Sequence, residues 1–318
     1  MKLRICFGPV EILVVSCNIL VIKYLQRLKY IHTFTFKTYD WVDEKIPILE
    51  IIDSKDVKVN YSAIDKRIKL FINWEAFNKT NILENILLQC LFLLSVDSKQ
   101  WPMHASSVET NNKGILLMGA ATSGKTNVAL GLCSLGKCRL VADDWLSLKI
   151  VDNKIFVQKS DDLISIRKHG FENVGKILPK SVADMVKKRF GTSSSPFTKT
   201  IPPFLDVDLK IIRATLPVQI NKFIFVHLIE NFHHYEKISK GKMINLIANE
   251  YVKALNGFSS YFIDNNGNVV GEPIVTIPGL GWKKILSFID EITNICEGYI
   301  VYGSLQQVIN DILELNEE

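Results

Sequence analysis

Gly119, four residues, and then Gly124-Lys125-Thr126 is the feature that most constrains this chain. The run before it, Ile115-Leu116-Leu117-Met118, is short and apolar and reads as a buried strand; Thr126-Asn127-Val128-Ala129-Leu130 opens a helical pattern behind it. Strand, tight loop and helix is the context that a phosphate-binding P-loop requires. Glycine is needed because only a backbone without Cβ turns that sharply and aims successive N–H groups inward at phosphate oxygens. The following helix adds its positive N-terminal end. The candidate ATP-binding segment is therefore Gly119, Ala120, Ala121, Thr122, Ser123, Gly124, Lys125, Thr126 and Asn127. Within it Lys125 reaches the β- and γ-phosphates, and the Thr126 hydroxyl is suited to hold Mg²⁺.

A second element follows the helix. Val128, Leu132 and Leu135 keep helical spacing, and Gly136 is placed to end the helix in a left-handed conformation. Arg139-Leu140-Val141-Ala142-Asp143-Asp144 is then an apolar strand ending in two carboxylates. Phosphoryl transfer needs one carboxylate to hold the metal and another to accept the proton of an attacking hydroxyl. We assign Asp144 to the metal and Asp143 to the proton. Adjacent side chains on a strand point to opposite faces, so both serve only if the strand ends or twists there.

With 318 residues, 47% of them hydrophobic, the chain can bury a sizeable core. Its net charge, 38 minus 33 or +5, comes without a long basic run, so nucleic acid is not implied. Six cysteines at 6, 17, 90, 133, 138 and 296 lack metal-site and dithiol spacings, which suits a reducing cytoplasm, and the pair Cys133 and Cys138, flanking a turn, reads as small apolar packing residues. Near the start, Pro9, Glu11 and Asn18 interrupt the apolar run, so neither a signal peptide nor a membrane span is expected. Ile12 to Ile22 reads as a buried strand or helix.

Along the chain, residues 30 to 73 look β-rich, with strands at His32 to Tyr39, Ile48 to Ile52, Val57 to Tyr61 and Ile68 to Ile72. Asn81 to Leu94 has helical spacing, and Trp101 to Glu109 reads as loop and strand. Turns are expected at Asn111-Asn112-Lys113-Gly114 and at Asp152-Asn153. Gly191 to Pro203 reads as a mobile polar loop. Asn221 to Ile229 and Tyr299 to Tyr302 read as strands, Lys284 to Cys296 and Ser304 to Leu315 as helices. The expected division is a β-rich N-terminal region over 1–98 and a P-loop domain over 99–318.

His104, Gly119 fifteen positions later, the P-loop, its helix ending at Gly136, and Leu140-Val141-Ala142-Asp143-Asp144 together resemble the nucleotide-binding domain of the HPr kinase/phosphorylase family and its serine-kinase relatives. The resemblance implies an α/β P-loop fold similar to phosphoenolpyruvate carboxykinase and distinct from the doubly wound P-loop folds. It places His104 by the phosphate site, Lys125 on phosphate, and the two aspartates in proton transfer and metal binding. It also implies a homo-oligomer. Two departures narrow the expectation. Asn127 stands where the family usually has Glu, and the Arg-Gly-Leu-Gly signature of phosphate removal is absent, so phosphorylase activity is not expected.

Three functions are weighed on these residues. One is a kinase acting on a serine of a protein or peptide; another is a kinase for a small alcohol such as free serine or a polyol; the third is a nucleotide-gated regulatory module without turnover. The remaining polar residues are expected to be structural: Arg167 and Arg213 on the surface, His233-His234 beside Glu230 in a polar turn, Trp282 in a packed turn, and Lys240-Gly241-Lys242 in a solvated loop.

Overall fold

Strict alternation along Arg67–Ile72, with Ile68, Leu70 and Ile72 buried and Arg67 exposed, makes a strand with one face on a core. Each such residue contributes about 1.5–3 kcal/mol by leaving water. The computed structural model describes residues 2–7, 10–28, 34–37, 46–55, 58–62, 64–74, 90, 92–96, 98–160, 163–164, 166–192, 195, 204–205, 207–258, 262–263, 269–271 and 279–317. They form a mixed α/β protein with two large sheets.

The chain divides into two compact units, Met1–Pro102 with Tyr251–Phe288, and Met103–Glu250 with Ile289–Glu318. The expected single cut after residue 98 did not include that return of the chain. Rings mark it: Phe92 meets Tyr251 edge-on at 5.9 Å, and Trp101 stacks on Phe288 at 4.3 Å.

The first unit holds β1 (Lys2–Phe7), β2 (Val10–Ser16), α1 (Ile19–Leu28), β3 (Phe34–Lys37), β4 (Ile48–Asp53), β5 (Lys58–Ser62) and β6 (Arg67–Ile72). Its sheet runs β3-β1-β2-β4-β6-β5, so the expected β-rich start is present. The apolar run at Ile12 to Ile22 is both strand and helix, broken at Asn18, whose Oδ1 accepts the Leu20 N–H at 2.9 Å and caps α1. Among the described residues no helix is long and apolar enough to cross a membrane. The helix expected over Asn81 to Leu94 lies outside the described residues except for 90 and 92–94, which are helical, as are 95 and 96.

Further along come β7 (Trp101–His104), β8 (Ser106–Thr110), β9 (Lys113–Met118), α2 (Lys125–Ser134), β10 (Arg139–Ala142), β11 (Trp145–Val151), β12 (Lys154–Ser160), β13 (Leu163–Ile164), α3 (Lys168–Val174), α4 (Lys180–Phe190) and β14 (Phe204–Leu205). After these follow β15 (Val218–Leu228), β16 (His234–Lys237), α5 (Lys240–Phe258), β17 (Phe262–Ile263), β18 (Val269–Gly271), α6 (Gly279–Ile295), β19 (Glu297–Gly303) and α7 (Leu305–Glu317). Lys240-Gly241-Lys242, expected as a loop, is instead the first turn of α5, and Trp282 lies in α6 rather than in a turn. Apart from residues 191, 192 and 195, the loop Gly191 to Pro203 lies outside the described residues.

The second unit's sheet follows β10-β8-β9-β15-β12-β11-β7, with β19 beside β15 and β16 on β19. Two tight hairpins build it. Asn111 and Asn112 (φ 51° and 61°) join β8 to β9, and Asp152 and Asn153 (φ 49° and 56°) join β11 to β12. Both central residues being left-handed matches the twist of paired strands, and Asn and Asp tolerate that conformation. β9 has an antiparallel neighbour, β8, on one edge and a parallel one, β15, on the other. Val108, Ile115, Leu117, Val128, Leu132, Ile224, Val226, Val301 and Ile309 share one core cluster. α2 is buried almost all round; Leu135, expected on its packed face, is the C-cap and 44% exposed. Gly136 ends the helix at φ 69°, as its position suggested.

Candidate active site

The loop between β9 and α2 takes the form that its glycines allow. Gly119 (φ 138°), Thr122 (φ 71°) and Gly124 (φ 103°) take positive φ, the kind of backbone that lets successive N–H groups converge on an anion. A Cβ on Gly119 would meet Ser123 Oγ and the Val226 carbonyl at 2.7 Å, and one on Gly124 would meet Leu228 Cγ at 2.4 Å. Gly124→Ala is therefore expected to destabilise the fold by about 1–3 kcal/mol, read as a lower midpoint in chemical denaturation. An unchanged midpoint would show that the loop accommodates a side chain there. Gly124 is also the N-cap of α2, and among the described residues no side chain caps the helix start, which leaves its positive end facing the loop.

Lys125 is buried and folds back over this loop, its Nζ donating to the carbonyls of Gly119 at 2.8 Å and Ala120 at 3.0 Å. One residue on, Thr126 Oγ1 donates to Asp143 Oδ1 at 2.9 Å, and Ser106 Oγ donates to the same oxygen at 2.6 Å. β10 reaches this position by an irregular register against β8 between Leu140 and Ala142, then ends at Ala142. Asp144 follows at φ 66°, a left-handed turn that Asp tolerates. The strand thus ends where both carboxylates are needed, and both line one recess. Asp144 Oδ1 lies 3.1 Å from His104 Nε2.

Asp143 is 2% exposed, and its Oδ2 is buried without a hydrogen-bond partner among the described residues, as is Ser123 Oγ. Burial raises its carboxyl above the ordinary value of 3.8, and the charge of Asp144 adds to this. Hydrogen bonds from Ser106 and Thr126 and the charge of Lys125 act the other way. A carboxyl held up in this way is better matched to taking a proton near neutral pH than an ordinary aspartate.

The recess measures about 120 Å³. Of the predicted loop, Ala121, Thr122, Gly124, Lys125, Thr126 and Asn127 line it, together with His104, Asp143 and Asp144. Gly119 and Ala120 serve behind it through the carbonyls that hold Lys125, and the Ser123 carbonyl accepts the Leu228 N–H.

Sequence reasoning missed a third wall. Arg167, His169 and Gly170 line the recess as well, which corrects the expectation of Arg167 as a surface arginine. The connection is Asn127, whose Nδ2 donates to the Gly170 carbonyl at 3.0 Å and ties α2 to α3. Its amide is therefore committed to the protein. The available signal was the basic stretch Arg167-Lys168-His169 before a glycine, which has no fixed spacing to a P-loop. Ser106, two residues after His104, was missed too. Arg213 lies elsewhere, bridged to Leu140 at the edge of the sheet with Nε and Nη2 buried, which also corrects its surface assignment.

Other candidates stay outside the recess. His233, expected in a polar turn, meets Asp311 with Nε2 2.9 Å from Oδ2, while His234 begins β16. No group of three or more His, Cys, Asp or Glu able to hold a metal occurs among the described residues. Burial pushes the thiols of Cys90 and Cys296 up to about 12 and that of Cys138 to about 11, which makes them inert packing groups. No protein-family model matches the chain, and no curated protein matches it. Its function therefore rests on the chemistry of the recess.

Proposed function

We propose that this chain is an ATP- and Mg²⁺-dependent kinase of the HPr kinase/phosphorylase-like type, which transfers the γ-phosphate to an alcohol, a serine hydroxyl of a protein or peptide. The observation that carries this reading is the hydrogen bond from Thr126 to Asp143, which brings the loop hydroxyl, Lys125 and a buried carboxylate of raised pKa to one point. The fold assignment within that family is part of the proposal. It is supported by the antiparallel neighbour of β9, which the all-parallel sheets of doubly wound folds do not place beside the phosphate-binding strand.

The donor set fits Mg²⁺. Thr126 and Asp144 offer hard oxygen donors, and this ion is commonly held by one or two carboxylates, substrate phosphates and water rather than by an all-protein cage. Thr126 donates its hydroxyl proton to Asp143, which leaves the hydroxyl oxygen's lone pairs available to a metal, and Asp144 supplies the charged donor. When bound, the ion supplies neutralisation of the β- and γ-oxygens.

The chain's own residues do the rest. The loop amides and the start of α2 hold the phosphates, and Lys125 lays positive charge over the group that is transferred. Asp143 takes the proton of the attacking hydroxyl, since its Oδ2 has no hydrogen-bond donor among the described residues. His104, 3.1 Å from Asp144, orients that carboxylate, and Arg167 contributes a planar cation at the far wall.

Labelled γ-phosphate offered separately to cell-extract protein and to free serine with other small alcohols tests the acceptor. Label on a protein band is the expected result. Label on a small molecule reassigns the acceptor to a metabolite, and binding of ATP without lysine-dependent transfer to either favours a regulatory module.

A further inference from the structure

None of the described residues lining the recess is Phe, Tyr or Trp. A nucleoside triphosphate held by its phosphates there finds no ring in the recess on which to stack its base, and among the described residues the sheet carries an aromatic surface nearby. β15 lies directly beside β9 and parallel to it, and β19 lies beside β15, also parallel. The ends of all three strands therefore share the edge on which the P-loop sits. Leu228 at the end of β15 donates its N–H to the Ser123 carbonyl of the loop at 2.9 Å. Tyr302, near the end of β19, is two strands from β9, about 10 Å at ordinary strand spacing.

Around Tyr302 the rings gather at this edge. Phe232 meets it edge-on at 5.8 Å, His234 lies at 6.5 Å with planes 28° apart, and His227 is its register partner. Phe232 is nevertheless 51% exposed. The turn that carries it is fixed at both ends: the Ile229 N–H donates to the Gly303 carbonyl at 2.9 Å, His233 is held by Asp311, and Asn231 makes the bend at φ 63°. An aromatic side chain is thus presented to solvent on a rigid turn beyond the strand that touches the P-loop.

We infer that Phe232, with Tyr302 and His234 beside it, is the seat of the nucleobase. The inference rests on the phosphate-binding reading of the loop and names where the rest of that ligand lies. A base stacked on an aromatic ring gains an affinity that inorganic tripolyphosphate, which has no base, does not.

The test compares binding of MgATP and of magnesium tripolyphosphate, by calorimetry, to the full chain and to its Phe232→Ala, Phe232→Trp and Lys125→Ala variants. Phe232→Ala is expected to weaken MgATP about tenfold and to leave tripolyphosphate unchanged. Phe232→Trp is expected to bind MgATP with a change in fluorescence that tripolyphosphate does not produce. Equal losses for both ligands in Phe232→Ala, or no loss for either, overturn the assignment. Failure of the phosphate reading looks different: tripolyphosphate binding then does not depend on Lys125, and the base seat falls with it.

Discussion

Lys125→Ala is expected to lower phosphate transfer by about 10²–10³-fold, the loss typical of removing one preorganised electrostatic group from a transition state. The size of the effect follows from where the ammonium sits. Lys125 is 6% exposed and bonded to the carbonyls of Gly119 and Ala120, so its charge is fixed at the mouth of the loop without reorganisation. The same bonds make the lysine part of the loop's structure. Its removal leaves two carbonyls without that donor, and a modest loss of stability, about 1 kcal/mol, is expected alongside. Single-turnover kinetics with a thermal melt separates the two effects, since a loss of that size leaves most of the protein folded. Lys125→Arg keeps the charge but presents a planar fork in place of a point donor, and it is expected to recover little of the rate.

Asp143→Asn is expected to lower transfer by about 10²–10⁴-fold, because it removes the proton acceptor, and at the same time to raise thermal stability. The second half follows from linkage. Burial and Asp144 hold the carboxyl of Asp143 above its unfolded value of 3.8, so the folded state favours the protonated form. Its contribution is present in full below the unfolded pKa and is lost as pH rises through the folded one. At neutral pH the ionised group therefore opposes folding, and the neutral amide does not. A rise of about 2–4 °C in melting temperature near pH 7, shrinking as pH falls toward 4, is the expected pattern. The amide oxygen still accepts from Ser106 and Thr126, which keeps the local geometry comparable. In the unaltered chain the acid limb of the rate profile is expected above the ordinary aspartate range. A lower melting temperature at neutral pH, with transfer intact, would remove Asp143 from the proton role.

Much of this site was legible because its parts are local. Gly119 to Thr126 is one strand, one turn and one helix start, and each leaves a mark within a few residues. The two hairpins were visible for the same reason, since Asn111-Asn112 and Asp152-Asn153 are residue pairs that accept left-handed backbone. The paired aspartates also announced themselves at the end of an apolar run. The condition set on them, that the strand end or twist, is met by the end of β10 at Ala142 and the left-handed Asp144.

What was missed depends on contacts between distant positions. Asn127 reaches Gly170 across 43 residues, and through that bond Arg167 and His169 become walls of the recess. His233 and Asp311 are 78 positions apart. The return of Tyr251–Phe288 to the first unit leaves no periodic signal, because periodicity reports which face is buried and not which partner covers it. Lys240 was misplaced in a loop because a glycine beside two lysines reads as a turn, whereas the first turn of α5 holds them with Lys240 paired to Asp290 at 2.8 Å.

In the proposed reading one recess binds ATP through Lys125 and passes its γ-phosphate to a hydroxyl through Asp143. The most direct measurement is incubation with γ-labelled ATP and Mg²⁺ followed by acid treatment of the product, with Lys125→Ala and Asp143→Asn beside the unaltered chain. The prediction is label that survives acid, as an alcohol phosphoester does, and that is lost in both variants. ATP bound tightly with no acid-stable label on any acceptor, or label formed equally by the two variants, would contradict it.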